Sequence, residues 1–286
     1  MLTAQSLGTR LGRGLDAGGK LDPAARERTL ETIRGYMNDV TAHRAHIDVV
    51  ATSALRRADD AAAFSDAVEA VTGVAPRIIS GDEEAAYSFA GAAWGVDASG
   101  RIGVLDVGGG STELAVGTRD AIERTISLEI GAVRLSEKFP ALLGERALDH
   151  EARVALVARA RGVCDAVLAP LSEFEPFADL LAVGGTVFTA AAMLSGDPYR
   201  DGVRIDRAQR LEIVDDLLAR ALPERRAMPN IRPQRADILP AGLIIVDTAC
   251  DRLEIDALHV SHADLLAGYL RSPQYRAVVA PGTRRP

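Results

Sequence analysis

The chain has 286 residues, room for about two domains of ordinary size, and its 48% apolar and 26% charged content matches soluble globular proteins rather than disordered or collagen-like ones. The 33 basic residues are outnumbered by 40 acidic ones, and the net charge of −7 argues against broad nucleic-acid binding. A polyanionic ligand would therefore need a metal or local arginines to offset repulsion.

Two cysteines, Cys164 and Cys250, lack the spacing of a disulfide scaffold or a zinc site and read as buried thiols in a reducing cytoplasm. Residues 1–14 carry arginines without a continuous apolar core, and the longest uncharged run, 180–196, contains a Gly-Gly pair. Neither a signal peptide nor a membrane span is expected.

In chain order, Asp22 before Pro23 is a helix start, and Leu30, Ile33, Met37 and Val40 recur at helical spacing, giving a helix over 23–43. A strand over 46–51 turns at Thr52 and Ser53; a helix over 61–72 ends at Gly73, a strand covers 77–79 and a helix 83–94. After a polar bridge at 95–100, strands at 102–105, 113–116 and 122–130 lie too close together for intervening helices, which implies antiparallel pairing. Helices are expected at 132–140, 149–169, 186–195, 206–221 and 234–252, with strands at 180–183 and 257–260. The fold class is α/β, with a first domain over 1–97, a second over 98–268 and a C-terminal tail over 269–286.

The sharpest local signal is the run from Ile102 to Glu113, an apolar strand ending in Asp106 followed by Gly108, Gly109 and Gly110. Glycines let backbone N–H groups close on phosphate oxygens, while Ser111 and Thr112 add hydroxyl donors. Asp106 and Glu113 supply hard oxygens of the kind Mg²⁺ accepts. A Walker loop is excluded, because the only lysines, Lys20 and Lys138, lie elsewhere. Taken alone, the segment also reads as a glycine-rich hairpin turn.

A second strand-then-glycine site, Gly184, Gly185 and Thr186, opens a helix whose N-terminus would favour an anion, although a tight βα turn explains it equally. Asp82, Glu83 and Glu84 open another helix; they compensate the helix dipole or present one acid as a general base for water. Arg56 and Arg57 follow a strand end, where one could clamp a phosphate or both could be surface arginines.

Together these segments resemble the exopolyphosphatase and guanosine pentaphosphate phosphohydrolase (Ppx/GppA phosphatase) family of the actin-like ATPase superfamily. The matching segments are Thr9-Arg10-Leu11-Gly12, Ala51 to Arg56, Ile79 to Ala85, Asp106 to Glu113, Gly131 to Leu135 and Val183 to Thr186, in the family's order over about residues 8 to 268. The resemblance implies two ribonuclease-H-like (actin-like) domains flanking a cleft, the first lacking its N-terminal strand and Asp-x-Gly phosphate loop. It implies Glu84 as the catalytic base. Asp106 and Glu113 would surround Mg²⁺, and Gly108, Gly109, Gly110, Ser111, Thr112, Gly184, Gly185, Thr186 and Arg56 would hold phosphate. The implied activity is a metal-dependent phosphohydrolase releasing terminal phosphate from inorganic polyphosphate or converting guanosine pentaphosphate to tetraphosphate, in the cytoplasm, with a homodimer as the family's suggestion. The alternative is a catalytically impaired member that senses guanosine tetraphosphate or polyphosphate. Near the C-terminus, Leu266 and Ala267 replace a charged pair of the family, and His262 is expected as a solvated or capping residue.

Overall fold

A computed structural model describes residues 5–96 and 100–272, and the chain divides into two compact units, residues 1–80 and 81–286. The first contains α1 (Leu15–Gly18), α2 (Pro23–His43), β1 (Val50–Ala51), α3 (Ser53–Arg57), α4 (Ala61–Thr72) and β2 (Arg77–Ile78). Asp22 caps α2 by accepting from the Ala25 N–H at 2.8 Å, with Pro23 in the first turn where a missing N–H costs nothing. Gly73 ends α4 in the left-handed conformation. Only two residues of each strand pair, parallel. A small core of Leu15, Leu21, Leu30, Leu55, Phe64 and Val68 holds this unit together.

The second unit opens with α5 (Gly81–Ala92) and continues through β3 (Ile102–Val107), β4 (Thr112–Gly117), β5 (Ile122–Leu128), α6 (Ala132–Lys138), α7 (His150–Leu168), β6 (Asp179–Val183), α8 (Gly185–Ser195), β7 (Arg204–Asp206), α9 (Arg207–Leu218), α10 (Leu222–Ala227), α11 (Leu239–Arg252), β8 (Ala257–Val260) and α12 (Leu265–Tyr269). Its six-stranded mixed sheet has the order β5-β4-β3-β6-β8-β7. The β3-β4-β5 meander is antiparallel, as the short connections require, while β6 joins β3 in parallel through a helical crossover. Buried β3 and β4 are nearly continuous apolar runs, packed on α5 and on the helices of the second core.

The compact units divide between Ser80 and Gly81 rather than at residue 97, because α5 packs on β3, β4 and β5. The tail expected over 269–286 is helical to Tyr269 and described to Ser272; the rest lies outside the described residues. Helix α12 locks onto α5 through glycines. A methyl group at Gly268 would collide with the Tyr87 carbonyl, and one at Gly91 with the Asp264 carbonyl. The Tyr87 and Tyr269 rings meet edge to face, 5.3 Å between centroids, beside this crossing.

Candidate active site

Asp106 and Glu113 are directly opposite each other in the β3–β4 ladder, so their side chains leave the sheet on the same face, next to the hairpin that joins the strands. That hairpin is tight. The Gly108 N–H closes onto the Ser111 carbonyl at 3.0 Å, and the Gly108 and Gly109 carbonyls accept from the Ala132 and Val133 N–H groups at 2.9 Å each. Gly131 presses against the back of the turn, where a side chain would overlap the Gly109 carbonyl. Arg134 donates to the Gly110 carbonyl at 3.1 Å. The three glycines therefore form a hairpin turn, and the turn itself leaves two amides available: Gly109 and Gly110 donate no backbone hydrogen bond among the described residues, and Gly109 is exposed.

Three acids gather here. Glu84 reaches the site from the first turn of α5, buried at 8% exposure, close enough for its charge to act on both Asp106 and Glu113. Burial pushes the Asp106 carboxyl up to about 6; the Ser88 hydroxyl, donating at 2.8 Å, opposes the rise, while Glu84 and Asp264 add to it and Arg235 opposes it. Glu113 is held well above the ordinary carboxylate range by burial first and then by the Glu84 and Asp106 charges, although it accepts from Ser111 and, at 2.7 Å, from Ser127. Of the neighbouring acids on α5, Asp82 accepts from Thr125 at 2.8 Å on the exposed side.

The second glycine site converges on the same place. Gly184 adopts φ +92° at the N-cap of α8, and a side chain there would lie 2.7 Å from Asp106 Oδ1. The Arg235 guanidinium lies directly against the Gly185 Cα, filling the space a methyl group would occupy. Two strand-end turns and the start of α8 thus surround Asp106, with one arginine among them.

The remaining expected site residues have these surroundings. Thr112 is 1% exposed and donates to the Ile130 carbonyl at 2.7 Å, so its hydroxyl proton is engaged in the hairpin. Thr186 is buried with its hydroxyl against Gly242 of α11. Arg56 belongs to the first unit, where one guanidinium N–H donates to the Ile79 carbonyl at 3.1 Å; in the second unit the Arg235 charge acts on Asp106. His262 stacks on Phe188 at 4.4 Å between centroids, half-buried, and neither caps a helix with its ring nor stands in solvent. Ser88, Ser127 and Arg235 escaped the sequence reading. Ser88 carried a signal, since it lies four residues after Glu84 and shares its helix face.

A model of the Ppx/GppA phosphatase family matches residues 1–273. The chain belongs to this family. Among Ppx/GppA proteins it is 32% identical to "Exopolyphosphatase 2" of Mycobacterium tuberculosis, over 91% of this chain and 85% of that one. It is 29% identical to the "Guanosine-5'-triphosphate,3'-diphosphate pyrophosphatase" of Pseudoalteromonas atlantica, over 91% of this chain and 51% of that longer one. The fold is similar to the crystal structure of an exopolyphosphatase-like protein (TM-score 0.81, 26% identity, 94% of this chain and 90% of that one). It is also similar to the Ppx/GppA family member of Aquifex aeolicus (TM-score 0.74, 27% identity, 94% and 87%).

The donor set suits one kind of metal. Among the described residues no three His, Cys, Asp or Glu side chains form a cluster that could hold an ion unaided. Mg²⁺ does not need one, because it keeps several waters and binds through one or two carboxylates plus substrate phosphate. Asp106 and Glu113, side by side on one face and both raised in proton affinity by burial and by neighbouring acids, fit that requirement. No helix among the described residues is long and apolar enough to cross a membrane.

Proposed function

We propose that this chain is a divalent-metal-dependent phosphohydrolase that removes the terminal phosphate from inorganic polyphosphate. The observation that carries the reading is the gathering of Glu84, Asp106 and Glu113 beside the amides of Gly109 and Gly110 and the guanidinium of Arg235. Phosphoanhydride cleavage needs little covalent help from a protein; it needs positioned donors, charge neutralisation and an oriented water. Bound Mg²⁺, held by Asp106 and Glu113, would neutralise charge on the phosphate oxygens. The glycine amides hold the terminal phosphate by short backbone donors, with the first-turn N–H groups of α8 facing the same ligand. Arg235 offsets negative charge that the three acids would otherwise repel. Glu84 orients the attacking water and takes its proton.

Polyphosphate is placed first because the chain is 32% identical to a protein named exopolyphosphatase and 29% identical to the guanosine pyrophosphatase. The same bond chemistry makes pentaphosphate the second substrate to assay. Phosphate release from polyphosphate with Mg²⁺, abolished by EDTA, is the expected result. Glu84→Gln should lower kcat by about 10²- to 10⁴-fold with binding retained. Tight binding of guanosine tetraphosphate or polyphosphate with no turnover in the wild type would replace this reading with the regulatory one.

A further inference from the structure

The first unit contains a cavity of about 830 Å³ that no part of the reaction uses. Four cations line it, Arg13, Lys20, Arg26 and Arg28, against two acids, Asp22 and Asp60. The acids are already engaged: Asp22 caps α2, and Asp60 accepts from the Leu21 N–H at 3.0 Å and pairs with Arg26 at 2.9 Å. Arg26 also lies over the Phe64 ring. That leaves three. Arg13 and Lys20 make no ion pair among the described residues, and the one side-chain bond recorded for Arg28 is to the Thr9 carbonyl at 3.3 Å.

The loop carrying two of these cations is fixed in place. Gly14 and Gly19 take positive φ, 73° and 67°, and bracket α1, whose Leu15 is buried; the Asp59 N–H donates to the Gly19 carbonyl at 2.8 Å, and Arg57 pairs with Asp16. Three cations without an ion pair among the described residues, on a tethered loop and a capped helix, outnumber the one further carboxylate at the loop, Asp59 against Gly19, and form a local site for a polyanion in a chain of net charge −7. Its size suits several linked phosphate groups rather than one, since cavities of this order enclose whole small-molecule ligands.

We propose that the first unit carries a second polyphosphate-binding site, lined by Arg13, Lys20 and Arg28, that holds the chain away from the reacting end. The choice of ligand rests on the phosphohydrolase reading; the site itself does not. Binding is measured by calorimetry in EDTA, so that nothing is hydrolysed, with long-chain polyphosphate, tripolyphosphate and inorganic phosphate as probes. The double variant Arg13→Ala/Lys20→Ala should bind the long chain about tenfold more weakly, with a plot of log affinity against log salt shallower by roughly one to two units. In turnover it should raise KM for long chains and leave kcat on tripolyphosphate unchanged.

An unaltered long-chain affinity and salt slope overturns the site. So does an equal loss in the control Lys138→Ala/Arg146→Ala, which removes the same charge from exposed positions elsewhere. Equal weakening for inorganic phosphate alone would reduce the cavity to a single-anion site and also overturn the proposal. A wild type that binds polyphosphate through these residues but never hydrolyses it would sink the catalytic reading and leave this one standing.

Discussion

Ser88 shows how a single hydroxyl acts in the site. It is 1% exposed and donates to Asp106 Oδ2 at 2.8 Å, fixing the orientation of a carboxylate that also faces Glu84 and Asp264. On the proposed reading Asp106 is a metal ligand, and removing an outer partner of such a ligand commonly weakens metal affinity by about 10- to 100-fold. Ser88→Ala should therefore need about that much more Mg²⁺ for half-maximal activity and show weaker Mn²⁺ binding by electron paramagnetic resonance, at a cost of about 1 kcal/mol in stability. Ser88→Thr should recover part of both. An unchanged metal requirement would make Ser88 a packing residue. The acids that gather here were legible in the sequence, and Arg235 was not. Asp82, Glu83 and Glu84 announce themselves as a cluster, whereas Arg235 is one arginine among many and reaches Gly185 only through the approach to α11.

Helices and strands were legible in proportion to their length. The span 23–43 expected from periodicity is α2 to the residue, and 61–72 is α4, because caps and glycine stops act locally. The strand expected over 46–51 shortens to Val50–Ala51, and the Thr52-Ser53 turn is the start of α3, since so short a pairing depends on what packs over it. β7, α10 and α12 were missed; three to six residues give too few periods to register. The helix expected from 234 begins at Leu239, with Pro240 in its first turn. β7 pairs antiparallel with β8, and a buried ion pair that no spacing reveals lies beside it: Arg210 and Asp247, each 1% exposed, meet at 3.1 Å, and Arg210 also donates to the Ile205 carbonyl of β7 at 3.3 Å and the Asp256 carbonyl at 2.9 Å. Arg161 pairs with the same aspartate. Asp247→Ala would leave the buried Arg210 guanidinium with carbonyl partners only, while Arg161 keeps Asp251, and should cost about 3–5 kcal/mol, read as a lowered denaturation midpoint. A loss below about 1 kcal/mol would show that water reaches the pair.

At the scale of the whole molecule, the two units keep separate hydrophobic cores. The smaller rests on few large side chains, and Phe64 is 2% exposed among them. Phe64→Ala should destabilise the first unit by about 3–5 kcal/mol. The single tryptophan, Trp94, lies just past α5 in the second unit, 58% exposed with the Arg271 guanidinium 3.6 Å over its ring, so its emission reports the loss of that contact in the second unit. The variant should therefore lose helical circular dichroism in an early transition while Trp94 emission melts as in the wild type; a coincident shift of both signals would mean that the units unfold as one. The polar stretch 95–100 looked like the border because linkers are usually polar, but the helix before it belongs with the sheet after it, a long-range fact that composition does not encode. The same helix is gripped at its far end. With Gly91 and Gly268 leaving no room for slippage between α5 and α12, the helix that ends at Tyr269 is locked to the element bearing Glu84. A side chain introduced at either glycine would press on the backbone that carries this acid.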